Sequence, residues 1–201
     1  MNFKPMTLAG GYLIDPKIFH DDRGEFYEVL RPARLEEATG YRFTAQQFSF
    51  SRSHRNILRG IHTTRVPPGQ AKVVSCAHGS ILTATVDLRV GSPTFGQFEL
   101  TPQDAESGVS VVLTDGLGHA FLVLSDTAVV SYLASKEYQP GTMIEIDALD
   151  PALGIEWPLQ GEPIRSPKDA AAPTADEAAA SGILPTYEQC LRSAVIPEKS
   201  S

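Results

Sequence analysis

Residues 57 to 72, Ile-Leu-Arg-Gly-Ile-His-Thr-Thr-Arg-Val-Pro-Pro-Gly-Gln-Ala-Lys, gather Arg59, His62 and Lys72 around one Pro-Pro-Gly turn. The apolar flanks of the turn read as two β-strands. An arginine holds an anion, a histidine titrates near neutrality and serves as a general base, and an ammonium stabilises a developing negative charge. Together these types suit acid–base chemistry on a bound anion. A strand histidine by itself is more often structural than catalytic; the company of Arg59 and Lys72 shifts that balance. Tyr132, within Val-Val-Ser-Tyr-Leu-Ala, offers a phenolic acid, though alone it reads as a core aromatic. Asp169, in Ser-Pro-Lys-Asp, reads alone as a helix cap.

Other chemistries find less support. Jelly-roll metal sites commonly place two histidines one residue apart on a strand, and here the residue two beyond His62 is Thr64. His54 and His78 fall in expected turns and read as solvated, so no metal and no cofactor is expected. No glycine-rich phosphate loop precedes a helix, and Gly116-Leu-Gly118 is too short a signal to use. No serine elbow is present, and Cys76 sits in an apolar, core-like run.

A chain of 201 residues suits one domain with a sizeable core, and 42% apolar against 20% charged residues is a soluble, globular balance. The formal charge of −7 argues against nucleic acid or an anionic membrane as partner. A site for an anion must therefore be a local basic cluster. The two cysteines, Cys76 and Cys190, read as inert thiols of a reducing compartment. Met-Asn-Phe-Lys-Pro-Met has no apolar signal core, and no apolar run approaches the ~18 residues of a membrane helix. The expectation is a cytoplasmic protein.

The elements that must position these residues are mostly strands. Expected strands cover 12–14, 25–30, 45–51, 73–77, 81–88, 95–100, 109–113, 120–124 and 128–133, besides the two around the Pro-Pro-Gly turn. Residues 34–40 read as a short helix closed by Gly40. In 45–51 Phe48 and Phe50 share one face, and Gln47, Ser49 and Ser51 share the other, which in a barrel lines a ligand cavity. Residues 169–181, rich in alanine and acid, read as a peripheral helix or two. About ten strands and little helix give an all-β jelly-roll sandwich or barrel. The expected organisation is one domain over 1–201, with a jelly-roll core at about 10–140. A loop-rich, helical appendage follows at about 141–192, and then a frayed tail at 193–201.

The ordered motifs resemble the dTDP-4-keto-6-deoxyhexose epimerases, a family that includes dTDP-4-dehydrorhamnose 3,5-epimerase and antibiotic-pathway 3- or 5-epimerases. The matching pieces are Asp22-Arg23-Gly24-x-Phe26, Leu58-Arg59-Gly60-Ile61-His62, Pro68-Gly69-Gln70-Ala71-Lys72, and Val86-Asp87-Leu88-Arg89 with Ser92-Pro93-Thr94-Phe95-Gly96. Gly118-His119-Ala120-Phe121, Ser131-Tyr132, Tyr138-x-Pro140, the segment Asp150 to Pro158 and Ser166-x-Lys168-Asp169 complete the set, from about residue 10 to 170.

The resemblance implies a metal-free, cupin-like jelly roll working as a homodimer on a dTDP-linked 4-keto-6-deoxyhexose. His62 would take a proton from C3 or C5, with Asp169 orienting its imidazole. Lys72 would stabilise the enolate, and Tyr132 would return a proton on the opposite face of the sugar. Gln47, Arg59 and His119 would contact diphosphate or sugar, and Ser49 and Lys168 join the implied substrate-binding set. Arg23, Phe26 and Glu28 would reach into the partner's site, and Tyr138 would stack on thymine.

The sequence departs from the family's pattern in three places. Ser49 stands where it often has asparagine, Thr63-Thr64 replaces tyrosine-glutamine, and Thr83 replaces an aspartate near the lysine. The loss at Thr83 leaves open whether one carbon or two would be inverted. The C-terminal appendage slightly favours one. Two alternatives stand beside this reading: a 3,4-ketoisomerase of the same sugar, and a binder without catalysis. The Leu-Arg-Gly-x-His and Ser-Pro-Thr-Phe-Gly pieces speak against the former, and the presence of His62, Lys72, Tyr132 and Asp169 against the latter.

Overall fold

Near-continuous apolar runs at Val73–Cys76 and Leu117–Val123 belong to strands covered on both faces, while strict alternation over Gln47–His54 belongs to a strand with one open face. The structure, a computed structural model, describes residues 1–195. Numbered in chain order, thirteen strands and four helices occur among the described residues. One sheet is six-stranded and antiparallel, in the order β1 (Asn2–Pro5), β2 (Gly11–Asp15), β10 (Ser110–Leu113), β7 (Lys72–His78), β12 (Thr127–Ala134), β5 (Gln47–His54). The facing sheet has five strands, in the order β13 (Met143–Glu145), β6 (Leu58–Thr64), β11 (Leu117–Val123), β8 (Ser80–Asp87), β9 (Phe98–Asp104). Strands β3 (Phe19–Asp21) and β4 (Gly24–Phe26) form a separate hairpin.

Three apolar layers follow from this arrangement. Val74, Val111 and Val130 of the larger sheet meet Ile81, Phe121 and Val123 of the smaller one in the interior. The outer face of the larger sheet, at Val73 and Val112, is covered by Leu35 of α1 (Pro32–Thr39) and by Phe43. The helix begins with Pro32 in its first turn and stops at Gly40, whose φ of 73° suits a residue without Cβ. The outer face of the smaller sheet, at Leu58, Val86 and Leu122, is covered by Leu153, Trp157, Ala175, Ala178 and Leu184 of the C-terminal third.

That third carries α2 (Pro167–Ala170), α3 (Ala175–Ala180) and α4 (Tyr187–Val195). Thr174 and Glu177 cap α3 reciprocally. Residues 193–195, expected to belong to a frayed tail, close α4, and the Ser193 hydroxyl donates to Asp115 Oδ2 at 2.6 Å. Residues 196–201, the rest of that expectation, lie outside the described residues.

Other boundaries also moved. The sheets pass both ends of the expected 10–140 core, because β1 pairs with β2 and β13 pairs with β6. The strand expected over 25–30 stops at Phe26, where its three-residue partner β3 runs out. The strand expected from Phe95 begins at Phe98, because Asp87 accepts the Ser92 and Thr94 hydroxyls and folds 92–96 into a turn.

The signature Val86-Asp87-Leu88-Arg89 is therefore structural. Asp87 and Arg89 are both buried, their side chains joined by two hydrogen bonds of 2.8 and 2.7 Å, and Arg89 lies over the Tyr187 ring of α4. Burial pushes the Asp87 carboxyl up, but the Arg89, Ser92 and Thr94 hydrogen bonds outweigh it and hold the group below the ordinary range.

Candidate active site

The two sheets part at one end around a cavity of about 260 Å³. The smaller sheet contributes Arg59 and His62 from β6 and His119 and Phe121 from β11; the larger contributes Lys72 from β7, Tyr132 and Ala134 from β12, and Gln47, Ser49 and Ser51 from β5.

Arg59 and His62 are three residues apart and would face opposite sides of a regular strand. A bulge removes that conflict. Arg59 pairs with Phe121 and His62 with His119, so two residues of β6 stand against one of β11, and both side chains turn into the cavity. Gly60 permits the close approach: its φ is 102°, and a Cβ there would lie 2.4 Å from the His119 carbonyl oxygen.

His62 Nε2 donates to Asp169 Oδ1 at 2.7 Å, which leaves Nδ1 as the ring nitrogen able to accept a proton. Asp169 is not the cap of α2. Ser166 is, its hydroxyl accepting the Asp169 N–H at 3.1 Å, and the carboxylate is freed to point at β6. Burial pushes the Asp169 carboxyl up; the hydrogen bond and electrostatic attraction of His62, with hydrogen bonds from Ser166 and the Gly60 N–H, outweigh it and keep the group low and ionised.

Lys72 stands on the opposite wall from His62. The Pro-Pro-Gly turn is a crossover between sheets, because β6 and β7 belong to different ones. Burial pulls the Lys72 ammonium down to about 8. His119 is buried and held down at about 3 by desolvation first and by Lys72 and His62 next, so it is a neutral imidazole at working pH. Its Nε2 is buried without a hydrogen-bond partner in the protein, a polar atom set in the cavity wall.

Tyr132 meets the His119 ring edge-on, with centroids 6.2 Å apart, and its hydroxyl lies 3.1 Å from Ser51 Oγ. Gln47 donates to Ser49 Oγ at 2.9 Å and accepts the Tyr138 N–H at 2.7 Å, tying the exposed Tyr138 ring to the cavity rim. Arg59 Nε donates to Ser53 Oγ at 2.9 Å.

The chain matches the family model described as dTDP-4-dehydrorhamnose 3,5-epimerase over residues 5–177. The chain belongs to this family. It is 45% identical over 184 residues to the dTDP-4-dehydro-6-deoxyglucose 3-epimerase of Streptomyces bikiniensis, covering 92% of this chain and 94% of that one. It is 42% identical over 190 residues to the dTDP-4-dehydrorhamnose 3,5-epimerase of Mycolicibacterium smegmatis, with 94% of each covered. Among solved structures, the rmlC epimerase of Mycobacterium tuberculosis superposes with a TM-score of 0.93 at 38% identity, over 96% of this chain and 98% of that one. A 3'-monoepimerase of Streptomyces bikiniensis in complex with dTDP-quinovose gives 0.91 at 43%, over 95% and 96%.

Of the residues singled out from the epimerase motifs, the cavity unites Gln47, Ser49, Arg59, His62, Lys72, His119, Tyr132 and Tyr138, with Asp169 directly behind His62. It does not include Arg23, Phe26, Glu28 or Lys168. Arg23 is bonded to Asp21 on the exposed β3–β4 hairpin, Phe26 is 66% exposed, Glu28 pairs with Arg31 at 2.7 Å, and Lys168 is exposed on α2. Ser51, Gln70, Phe121, Ala134 and Met143 also line the cavity without having been named as site residues. For Ser51 the signal was available, since it shares the polar face of Gln47 and Ser49; Met143 carried none.

Among the described residues no three His, Cys, Asp or Glu side chains gather to hold a metal ion, and no helix is long and apolar enough to cross a membrane. Thr83 lies outside the cavity lining, fully buried, donating to Gln103 Oε1 at 2.6 Å while Gln103 Nε2 donates to the carbonyls of Val74 and Val109.

Proposed function

We propose that the protein epimerises a dTDP-linked 4-keto-6-deoxyhexose at C3, C5 or both, through an enolate. The observation that carries this is the hydrogen-bonded His62–Asp169 pair on one cavity wall with Tyr132 on the other. A base and an acid on opposite faces of a flat intermediate are what inversion of a carbon requires. The C4 carbonyl makes the neighbouring C–H bonds acidic, because the electron pair left behind spreads onto oxygen. His62 Nδ1 takes the proton, and the Asp169 carboxylate stabilises the imidazolium. Lys72 faces the developing oxyanion, and Tyr132 hands a proton to the other face of the carbon. Arg59 and the neutral His119 suit the diphosphate or the sugar.

The nucleotide end calls for a second copy. Arg23 and Phe26 stand on an exposed hairpin with Glu28 just beyond it, none of them lining their own chain's cavity, and Phe48 and Phe50, 60% and 59% exposed, give edge strand β5 an apolar outer face. A homodimer covers that face and brings the hairpin of one copy to the other's cavity, where Tyr138 offers a flat ring to thymine. Two free, buried cysteines fit a cytoplasmic setting for this reaction.

The test is proton NMR of dTDP-4-keto-6-deoxyglucose with the protein in deuterium oxide. Exchange and inversion at C3, C5 or both are expected, and His62→Ala abolishes them while dTDP still binds. A carbonyl moving to C3 makes the protein a ketoisomerase. Binding of dTDP with no exchange makes it a binder.

A further inference from the structure

The polar side chains on the inner face of β5 form a row: Gln47 accepts the Tyr138 backbone N–H and donates to Ser49, Ser51 meets Tyr132, and Ser53, just beyond the cavity lining, accepts from Arg59. The row follows from register. Tyr132 pairs with Ser49, so Ser51 is its diagonal neighbour on the same face of the sheet, within reach of a ring as long as tyrosine's. The His119 and Tyr132 rings pack edge to face, and Ser51 meets the phenol oxygen at 3.1 Å.

We infer that Ser51 is a positioning residue that decides whether the enolate is inverted or returned. The inference rests on the epimerase reading and adds to it the control of one of its two proton transfers. In the forward step His62 Nδ1 takes the C–H proton, and the electron pair of that bond passes into the enolate. In the second step the Tyr132 O–H bond breaks, its proton goes to carbon on the opposite face, and a phenolate remains until water reprotonates it.

A hydroxyl that donates to Tyr132 Oη serves both moments of the second step. It leaves the phenol's own proton free to point into the cavity, and it stabilises the phenolate that forms. Burial raises the phenol above its ordinary value, while the Ser51 hydrogen bond and the charge of Arg59 act the other way. Ser51 makes no such contact with His62. Its loss weakens delivery from Tyr132 and leaves removal by His62 intact, so enolate that is not inverted collects a proton again from the imidazolium. The His62 side chain is 32% exposed, open enough for that proton to exchange with solvent first. Deuterium then enters the starting sugar without inversion.

The experiment measures two rates on dTDP-4-keto-6-deoxyglucose in deuterium oxide: deuterium entry into the unreacted sugar, and formation of the inverted product. In Ser51→Ala the ratio of the first to the second rises about tenfold, the scale of one hydrogen bond. Ser51→Thr, which keeps the hydroxyl, restores the parent ratio, and dTDP binds all three proteins alike. Equal loss of both rates, an unchanged ratio, or loss of dTDP binding in Ser51→Ala overturns the role of Ser51 and leaves the epimerase reading standing. A parent that neither exchanges nor inverts overturns the epimerase reading and the role of Ser51 with it.

Discussion

His62 Nε2 and Asp169 Oδ1 lie 2.7 Å apart although 107 positions separate them in the chain. The carboxylate is buried, the imidazole partly open to the cavity, and the bond between them fixes which ring nitrogen faces outward. Asp169→Asn keeps the shape but removes the charge that stabilises the imidazolium. Its expected effect is a fall in kcat of about 10²- to 10⁴-fold, by analogy with the loss of a triad carboxylate. Calorimetric titration with dTDP should show an unchanged Kd. A variant retaining parent kcat removes Asp169 from the mechanism.

Lys72 gives the reaction an alkaline limit. With its ammonium pulled down to about 8, the free enzyme loses that charge as pH rises through this value, and kcat/KM falls with it. A bound dianionic diphosphate favours the charged form, so the corresponding limb of kcat lies at higher pH. In Lys72→Arg, which stays charged, the limb near 8 disappears. Its persistence in that variant assigns it to another group.

The Asp87–Arg89 pair is a stability element. Replacing Asp87 by asparagine leaves a buried guanidinium without its counter-charge, at a cost of about 3–5 kcal/mol and a fall in melting temperature of about 10 °C. The sign with pH follows from the lowered carboxyl. Its contribution is complete above about 4, where unfolded aspartates titrate, and is lost as pH falls through the lower folded value. Acid melting curves of parent and variant therefore converge at low pH. Parallel curves would assign the acid limb elsewhere.

Thr83→Asp tests what the departure at this position does. The new carboxylate faces the Gln103 amide oxygen at a fully buried site. Either the two oxygens repel, or the amide turns and abandons the carbonyls of Val74 and Val109. The melting temperature falls at pH 8 and partly recovers at pH 5, because burial raises the new carboxyl and protonation relieves it. An unchanged melting temperature at both pH values would show that Gln103 repacks freely.

The exposed pair Phe48 and Phe50, with ring centroids 4.7 Å apart, is the point at which to break the proposed dimer. Phe50→Arg places a charge on that face without touching the cavity side of β5. Light scattering should report a dimer for the parent and a shift toward monomer for the variant, with weaker dTDP binding as the partner's hairpin is withdrawn. A monomeric parent with full dTDP affinity would remove the second copy from the site.

Much of this was legible in the residues themselves. Alternation over Gln47–Ser51 marked a strand with a polar and an aromatic face, and the apolar runs marked strands of a sandwich. Their order and the shortage of helix named the class, because burial on one face or two leaves different periods in a sequence. The chemistry of Arg59, His62 and Lys72 was readable from residue type. Asp169 as the partner of His62 came from the likeness of Ser-x-Lys-Asp to a family, since nothing in spacing relates positions so far apart.

Tertiary structure alone decided the rest. Strand periodicity sets Arg59 and His62 on opposite faces, and only the bulge against β11 turns both into one cavity. The polar face of β5 turned inward and its aromatic face outward, the reverse of a lone strand's preference, because the polar face closes a ligand cavity. Asp87 and Arg89 read as a motif and proved to be a buried ion pair beneath α4. Local sequence fixes which backbone shapes and side-chain chemistries are available. Which of them meet depends on long-range pairing and burial, and those are properties of the whole chain.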